Sequence, residues 1–390
     1  MLATELHYTY MKILIVRNAF SHDFGGAERL AVHLAEELKN NAIDTIVISR
    51  QTRLLTYAED HGIKNKKGWW WSHQNWSGWQ VLGIPFYLGW QLALFCWYVC
   101  VFLRYQPDVI HLMSKDDFIA GTLAAKILGK GVIWTDPADL KHVFRNHAIF
   151  YKNPVGKLVY FASRFTDIIT LVSESERKLV TESVGHNLSD KFIVVHTAGR
   201  DEKVVPLKRN PQDESAVIFC STSRLVYAKG ITELIDAFLK LSKDADVYRL
   251  WLIGNGPDEE AFKKQARNNS FITFIGHSDT PLRYVAAADV FVHPTHHEGF
   301  SLSLAEAAML AKPMIATNVG GNPELVNNTN GLLVPVKNSE EFFKAMEKLG
   351  SNAKLRQTLG KNARKDYVTK FDFSTIVKTM LIPLYEKISA

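Results

Sequence analysis

Short runs of apolar, β-branched residues alternate along this chain with stretches whose apolar positions recur every three to four residues. Runs of four to eight such residues bounded by Gly, Pro, Asn and Asp predict strands, and the amphipathic stretches between them predict helices. The first series of strands covers Lys12–Val16, Ile43–Ser49, Asp108–Leu112, Gly131–Thr135, Asp167–Ser173 and Phe192–His196. A second series covers Ala216–Ser223, Tyr248–Gly254, Phe271–Gly276, Asp289–Thr295, Lys312–Thr317 and Gly331–Val336. Strands alternating with helices imply βαβ units and parallel sheets, so the fold class is α/β with two doubly wound domains in tandem. Their join falls near TAGRDEKVVPLKRNPQDES, Thr197 to Ser215, where Gly, Pro and charge gather. No repeat at a solenoid period is visible.

Composition narrows the partners. At 390 residues and 47% hydrophobic, the chain can bury two cores of ordinary size, because single cores stop growing near about 250–300 residues. A net charge of +6 favours anionic partners such as phosphorylated substrates or acidic lipid. No dense Lys/Arg stripe with interleaved aromatics is present, so nucleic acid is not expected as a partner. Cys96, Cys100 and Cys220 are too few for a disulfide framework or a zinc site and predict a reducing, cytoplasmic setting. The opening MLATELHYTY lacks a charged segment followed by an apolar one, so it does not read as a signal peptide, and folded structure is expected from Met11.

Parallel sheets bind ligands beyond the carboxyl ends of their strands. After the first strand, Gly25 and Gly26 precede a helix with Ala27, Leu30, Ala31 and Leu34 on one face; the pair either makes a plain tight turn or lets backbone amides approach an anion. After the first strand of the second series, SRLVYAKG sets Arg224 and Lys229 on the loop entering ITELIDAFLKL. Two such cations can neutralise a diphosphate, or they can be ordinary solvated residues. GNGPDEE follows the next strand with a glycine turn at Gly254, and GHSD follows the third, where the backbone from Ile275 to His277 could pair with a flat heterocycle.

The fourth strand leads into HEGFSLSLAE, with Glu298 in the loop and Glu306 in the second turn of the helix. A carboxylate can hold a vicinal diol through its two oxygens, and amides at a helix start suit a diphosphate. Two carboxylates flanking such a segment fit a nucleotide sugar, whose hydroxyl clusters flank one pyrophosphate. Two exposed glutamates near a helix end are the plainer alternative.

Together these stretches resemble the retaining family 4 glycosyltransferases: EGFSLSLAE matches the Glu-x7-Glu motif, SRLVYAKG the Arg–Lys loop, GGAE the glycine pair, and VGGNPELV (Val319–Val326) a further loop. The resemblance spans nearly the whole chain and implies a GT-B fold, two Rossmann-like domains with the active site between them. The expected division is an N-terminal acceptor domain over 1–200, membrane-associating by the Trp-rich run described below, a nucleotide-sugar-binding domain over 201–370, and a C-terminal helix, 371–390, that by the resemblance crosses back to the first domain. Carried over by position, Arg224 and Lys229 would bind the donor diphosphate, Glu306 the ribose, and Glu298 the transferred sugar near its anomeric carbon. Gly26 would lie beside the diphosphate, and Phe300, Ser301, Leu302 and Ser303 would offer backbone donors. On the acceptor side stand Gly25 and Asp136, the latter where family members often carry His.

The resemblance also implies retention of anomeric configuration and, most commonly, a UDP-sugar donor. Retaining glycosidases use a carboxylate nucleophile; no convincing equivalent stands out here, which favours front-face departure and attack with the donor phosphate taking the acceptor's proton. No cofactor or metal is expected, since Arg224 and Lys229 do a cation's job. His293, His296 and His297 in HPTHH lack a fourth zinc ligand.

Seven of the chain's 9 tryptophans fall between Trp69 and Trp97, and Val81 to Leu103 carries no Asp, Glu, Lys or Arg. The run is long enough to span a bilayer, but strands of one sheet stand on both sides of it. A buried helix and a surface-lying one remain. The enrichment of Trp69, Trp70, Trp71, Trp76 and Trp79, with Lys64, Lys66 and Lys67 nearby, points to peripheral attachment at the cytoplasmic face of a membrane and a lipid-linked saccharide or membrane lipid as acceptor. Rival readings are a non-catalytic nucleotide-sugar-binding protein and a nucleotide-sugar epimerase on the same fold.

Overall fold

The computed structural model describes residues 11–18, 26–68, 83–135, 154–184, 186–196, 199–243 and 246–389. Two compact units emerge, one of residues 1–195 and 376–390, the other of residues 196–375. The segment from Ile376 onward thus groups with the first unit, and His196 already belongs to the second. The stretch after it is tied into the second unit: Tyr367 donates to the Gly199 carbonyl at 2.5 Å, Arg364 forks onto Asp201 at 2.7 and 2.6 Å, and Arg209 bonds Asp289 at 2.9 Å.

The first unit holds a 7-stranded parallel sheet in the order β3-β2-β1-β4-β5-β6-β7. Its strands are β1 Lys12–Val16, β2 Asp44–Ser49, β3 Lys64–Lys67, β4 Val109–Leu112, β5 Gly131–Thr135, β6 Ile168–Leu171 and β7 Phe192–Val194. The helices are α1 Gly26–Asn40, α2 Thr52–Asp60, α3 Ile84–Tyr105, α4 Phe118–Ile127, α5 Pro154–Ser163 and α6 Glu174–Val184. Right-handed crossovers place α1 and α2 on one face and α3, α4 and α5 on the other. The core on the α3 side joins Leu14, Val16, Ile110, Leu112, Val132 and Trp134 of the sheet to Leu94, Tyr98, Val101 and Phe102 of α3.

One strand went unread in the sequence. β3 is KNKK, an edge strand paired only to β2. Edge strands face water and are protected by lysine, so they carry no apolar alternation. The lysines proposed to face lipid are the strand's own: Lys64 pairs with Asp44 at 2.7 Å, and Lys66 lies 5.8 Å over the Tyr105 ring. The central strands run near the expected bounds because they are buried on both faces, as parallel strands are.

The C-terminal helix α14, Ile382–Ser389, packs on the sheet face of the first unit. His111, 1% exposed, accepts or donates at both ring nitrogens, 2.6 Å from the Tyr385 hydroxyl and 2.7 Å from Thr135, which in turn bonds Thr170. Burial pushes the imidazole down to about 3, so it is neutral at pH 7. An unfolded His titrates at about 6.5. The folded value is depressed, so the stabilisation is complete above about pH 6.5 and is lost as pH falls toward 3, at up to about 1.4 kcal/mol per unit. Urea unfolding should show this loss from pH 6.5 downward. In His111→Asn, stability at pH 7 should be lower and that part of the pH slope absent; an unchanged slope would exclude His111 as its source.

The second unit holds a 6-stranded parallel sheet, order β10-β9-β8-β11-β12-β13. The strands are β8 Val217–Thr222, β9 Tyr248–Ile253, β10 Ile272–Gly276, β11 Val290–His293, β12 Met314–Thr317 and β13 Gly331–Val334. Its helices are α7 Ile231–Leu241, α8 Glu259–Gln265, α9 Pro281–Ala287, α10 Leu302–Met309, α11 Asn322–Leu325, α12 Ser339–Gly350 and α13 Ala353–Asp366. In α7, Ile231, Leu234, Ile235, Phe238 and Leu241 make a buried stripe at helical spacing. Asn338 and Asn352 cap α12 and α13 by accepting from the Glu341 and Leu355 amides.

Candidate active site

Four loops meet beyond the carboxyl ends of β8, β9, β11 and β12. The Leu225 amide donates to the Asn255 carbonyl at 2.9 Å, His296 to Ala228 at 2.9 Å, and Gly321 to Gly299 at 2.9 Å. Ser303 Oγ, in the first turn of α10, lies 3.4 Å from the Thr222 carbonyl at the end of β8. Close approach here depends on glycines, Gly254 and Gly320 among them. A Cβ on Gly254 would overlap the Ser223 carbonyl oxygen, and one on Gly320, whose φ is +54°, would overlap that of Glu298. Both obstacles are backbone, which cannot swing aside. Gly320→Ala should therefore destabilise the second unit by about 2 kcal/mol or more and displace Glu298; a urea midpoint equal to wild type would show that the loop yields.

The charged centre of this end is Glu298. Its Oε2 accepts from Lys229 Nζ at 2.9 Å and from His293 Nε2 at 3.0 Å. Oε1 takes no partner among the described residues. Lys229 reaches in from the short turn Tyr227–Lys229 ahead of α7, and His293 from the last position of β11. Burial alone would raise the Glu298 carboxyl, but the His293 bond and the Lys229 charge outweigh it and hold the group below the usual carboxylate range. His293 is 3% exposed, and burial lowers its imidazole, only partly opposed by Glu298. A carboxylate can only accept, so the neutral ring carries its proton on Nε2. Ser301 Oγ, 3.2 Å from the same nitrogen, accepts from the Leu304 amide as the N-cap of α10. The carboxylate is thus tied to the helix start by one buried imidazole.

Around this centre the other expected residues take distinct positions. Arg224 is exposed on the β8–α7 loop, and its side chain has no partner among the described residues. Glu306 is half-buried in the second turn of α10. Leu302 is 39% exposed at the first helical position, where amides have no intrahelical acceptor. Phe300 is buried, its ring against His196 at 4.9 Å and Phe371 at 5.9 Å, which fixes the loop from beneath. His196 also bonds Glu324 of the VGGNPELV loop at 2.8 Å. Gly254 donates to the Gly276 carbonyl at 2.8 Å, setting Ile275 and His277 one strand away from the β9 turn; His277 is exposed, 3.5 Å from Asp279. His293 and His296 diverge onto different carboxylates, Glu298 and, at 3.1 Å, Glu233. The role of His293 was missed in the sequence, where it figured only as a zinc candidate; its signal was a lone His ending an apolar strand five residues before a glutamate.

In the first unit, the carboxyl ends of β1 and β4 carry a buried polar knot. Asn18 donates to both oxygens of Asp117 at 3.0 and 2.9 Å, Tyr98 donates to Asp117 at 2.8 Å, and Arg17 pairs with Glu28 of α1 at 2.9 Å. These contacts anchor the first turn of α1, where Gly26 stands. Gly25, Asp136, Trp69, Trp70, Trp71, Trp76 and Trp79 lie outside the described residues.

Comparisons with known proteins agree with this frame. Residues 24–198 match the model of Glycosyltransferase Family 4, and residues 207–366 that of Glycosyl transferases group 1. The capsular polysaccharide biosynthesis glycosyltransferase CapM of Staphylococcus aureus is 27% identical over 296 residues, 71% of this chain and 76% of that protein. The N,N'-diacetylbacillosaminyl-diphospho-undecaprenol α-1,3-N-acetylgalactosaminyltransferase of Campylobacter jejuni is 25% identical over 303 residues, 72% of this chain and 77% of the enzyme. The crystal structure of HepE from Anabaena in complex with UDP superposes with a TM-score of 0.76 at 20% identity, covering 96% of this chain and 100% of that one. With one glycosyltransferase family model matched on each of its two Rossmann-like units, this chain is a family 4-type glycosyltransferase of the GT-B fold.

Proposed function

We propose that the protein is a retaining hexosyltransferase that moves a sugar from a UDP-sugar to a lipid-linked saccharide at the cytoplasmic face of a membrane, in glycan synthesis. The observation that carries the donor side is the Lys229–Glu298–His293 cluster, with Oε1 of Glu298 left to accept from a ligand hydroxyl. Arg224 and Lys229 supply positive charge for the diphosphate, the start of α10 supplies amides, and Glu306 takes the ribose. HepE is known in complex with UDP and with UDP-glucose, which supports uridine as the base. The name of the Campylobacter enzyme describes transfer to an undecaprenol diphosphate saccharide, and that supports a lipid-linked acceptor.

In this reading Glu298 is not the nucleophile. Its Oε2 is occupied by Lys229 and His293, which hold it as a fixed acceptor for the sugar's hydroxyls. The glycosidic bond to the phosphate breaks, the acceptor oxygen bonds to the anomeric carbon from the same face, and the released diphosphate takes the acceptor's proton. The two cations stabilise the charge that develops on the leaving group, so no metal or other cofactor takes part.

The test is a panel of nucleotide sugars with a membrane extract as acceptor source, assayed for released nucleotide and product anomer with and without chelator. Acceptor-dependent release of UDP, unchanged by chelator, with the donor's anomeric configuration kept in the product, is expected. Binding without turnover would leave a nucleotide-sugar-binding protein. Donor conversion without nucleotide release would make it an epimerase, and an inverted product would exclude the front-face scheme.

A further inference from the structure

In the β3–α3–β4 crossover, α3 is long and apolar enough to cross a membrane by length and composition. It cannot do so in this fold. β3 and β4, on either side of it, are parallel strands of one sheet, and α3 lies along that sheet against α4. Its inward stripe is Ile84, Tyr87, Gln91, Leu94, Tyr98, Val101 and Phe102. On an ordinary surface helix the opposite face is polar. Here the opposite face is Leu88, Gly89, Leu92, Ala93, Cys96, Cys100 and Leu103, all exposed. Leu92 is 62% exposed and Leu103 58% exposed. From Ile84 to Tyr105 the helix bears one charged residue, Arg104, in its last turn.

We propose that this outward stripe of α3 is a bilayer-docking surface: the helix lies flat in the headgroup layer of an acidic membrane, its axis in the membrane plane. Charge decides the occupant. The apolar stripe has no acidic residue on its own helix. Its carboxyl end is bordered by Arg104 and by Lys66, whose ammonium is 5.8 Å from the Tyr105 ring in the last turn of the same helix. Lys67 is exposed on the same edge strand. Trp90 and Trp97 run half-buried along one margin of the stripe, where indoles meet the headgroups. An apolar face with tryptophan at its margin and cations at its end suits the boundary between acyl chains and acidic headgroups, the protein itself covering the helix's other side. The inference rests on the proposed membrane-linked acceptor for its purpose, not for its geometry.

Native thiols report on it. Cys96 and Cys100 sit on the stripe and are exposed, whereas Cys220 is buried in the other unit and serves as the internal control. The full chain would be treated with a water-soluble maleimide and modification of each cysteine followed by mass spectrometry. Three conditions are compared: no vesicles, phosphatidylcholine vesicles, and vesicles with one third phosphatidylglycerol. Acidic vesicles should slow modification of Cys96 and Cys100 at least tenfold. Leu88→Asp/Leu92→Asp changes only exposed positions; it should bind UDP as wild type does and lose vesicle binding at least tenfold. Vesicle binding with both cysteines as reactive as in solution would overturn the assignment to α3 while leaving a membrane acceptor standing. Protection without vesicles, with a doubled mass in solution, would overturn it in favour of a second copy of the chain. No vesicle binding at all, together with transfer to a water-soluble saccharide, would overturn both membrane readings and leave the transferase intact.

Discussion

Glu298→Gln lowers the turnover of sugar transfer by about 10²-fold to 10³-fold while UDP binds nearly as before. The substitution keeps the size of the side chain and removes its charge. Lys229 and His293 both donate to Oε2, at 2.9 and 3.0 Å, so the carboxamide must turn its oxygen toward them. Its NH₂ then faces the ligand, and a donor replaces an acceptor where a sugar hydroxyl is to be held. A charge-assisted bond lost in a preorganised site costs about 2.7–4 kcal/mol in the transition state, which gives the stated range. UDP carries no transferred sugar, so its affinity is the control. Equal turnover in variant and wild type would reduce Glu298 to a structural carboxylate.

Lys229→Met has the larger effect on kcat/KM, a loss of about 10³-fold, and unlike Glu298→Gln it weakens UDP binding. The lysine bears two loads. It is a cation for the diphosphate, and it helps hold the Glu298 carboxyl below its usual range against burial. Without it, burial acts with only the His293 bond opposing. The Glu298 carboxyl then protonates at a higher pH, and the acid limb of the rate profile moves upward. The sign is fixed by the physics: a depressed carboxylate keeps its function until pH falls through its folded value, and removing what depresses it raises that value. Arg224→Ala should weaken UDP binding without moving the acid limb, because Arg224 makes no contact with Glu298 among the described residues. A Lys229→Met profile that superposes on wild type would show that the lysine does not govern Glu298.

Much of this is legible in the sequence. Parallel strands buried on both faces read as apolar runs, which is why β8, β9 and β11 could be placed within a residue or two and the loops after them singled out. The failures have separate causes. KNKK at β3 is an edge strand whose lysines protect it, so it carries no strand pattern. The run through α3 is apolar all round, so no periodicity could reveal which side is buried; the structure turns Tyr98 and Phe102 inward and leaves Leu92 and Leu103 in water. The pairing of His293 with Glu298 was hard to read because the four residues between them fold back only when the strand ends and α10 begins. The polar knot joins Asn18 to Asp117, 99 positions away, and Tyr98 to Asp117, 19 away, a closure that local pattern cannot encode. The cations and carboxylates of the second unit stand out as candidates because each lies in a segment that follows a strand.

The most direct test is a crystal structure of the protein soaked with UDP. Difference density is expected over the start of α10, with the diphosphate on the Lys229 and Arg224 side chains and the ribose on Glu306. The sugar position beyond it should open onto Oε1 of Glu298. Density for the nucleotide anywhere else, with Lys229, Glu298 and His293 still bonded and untouched, would contradict the account.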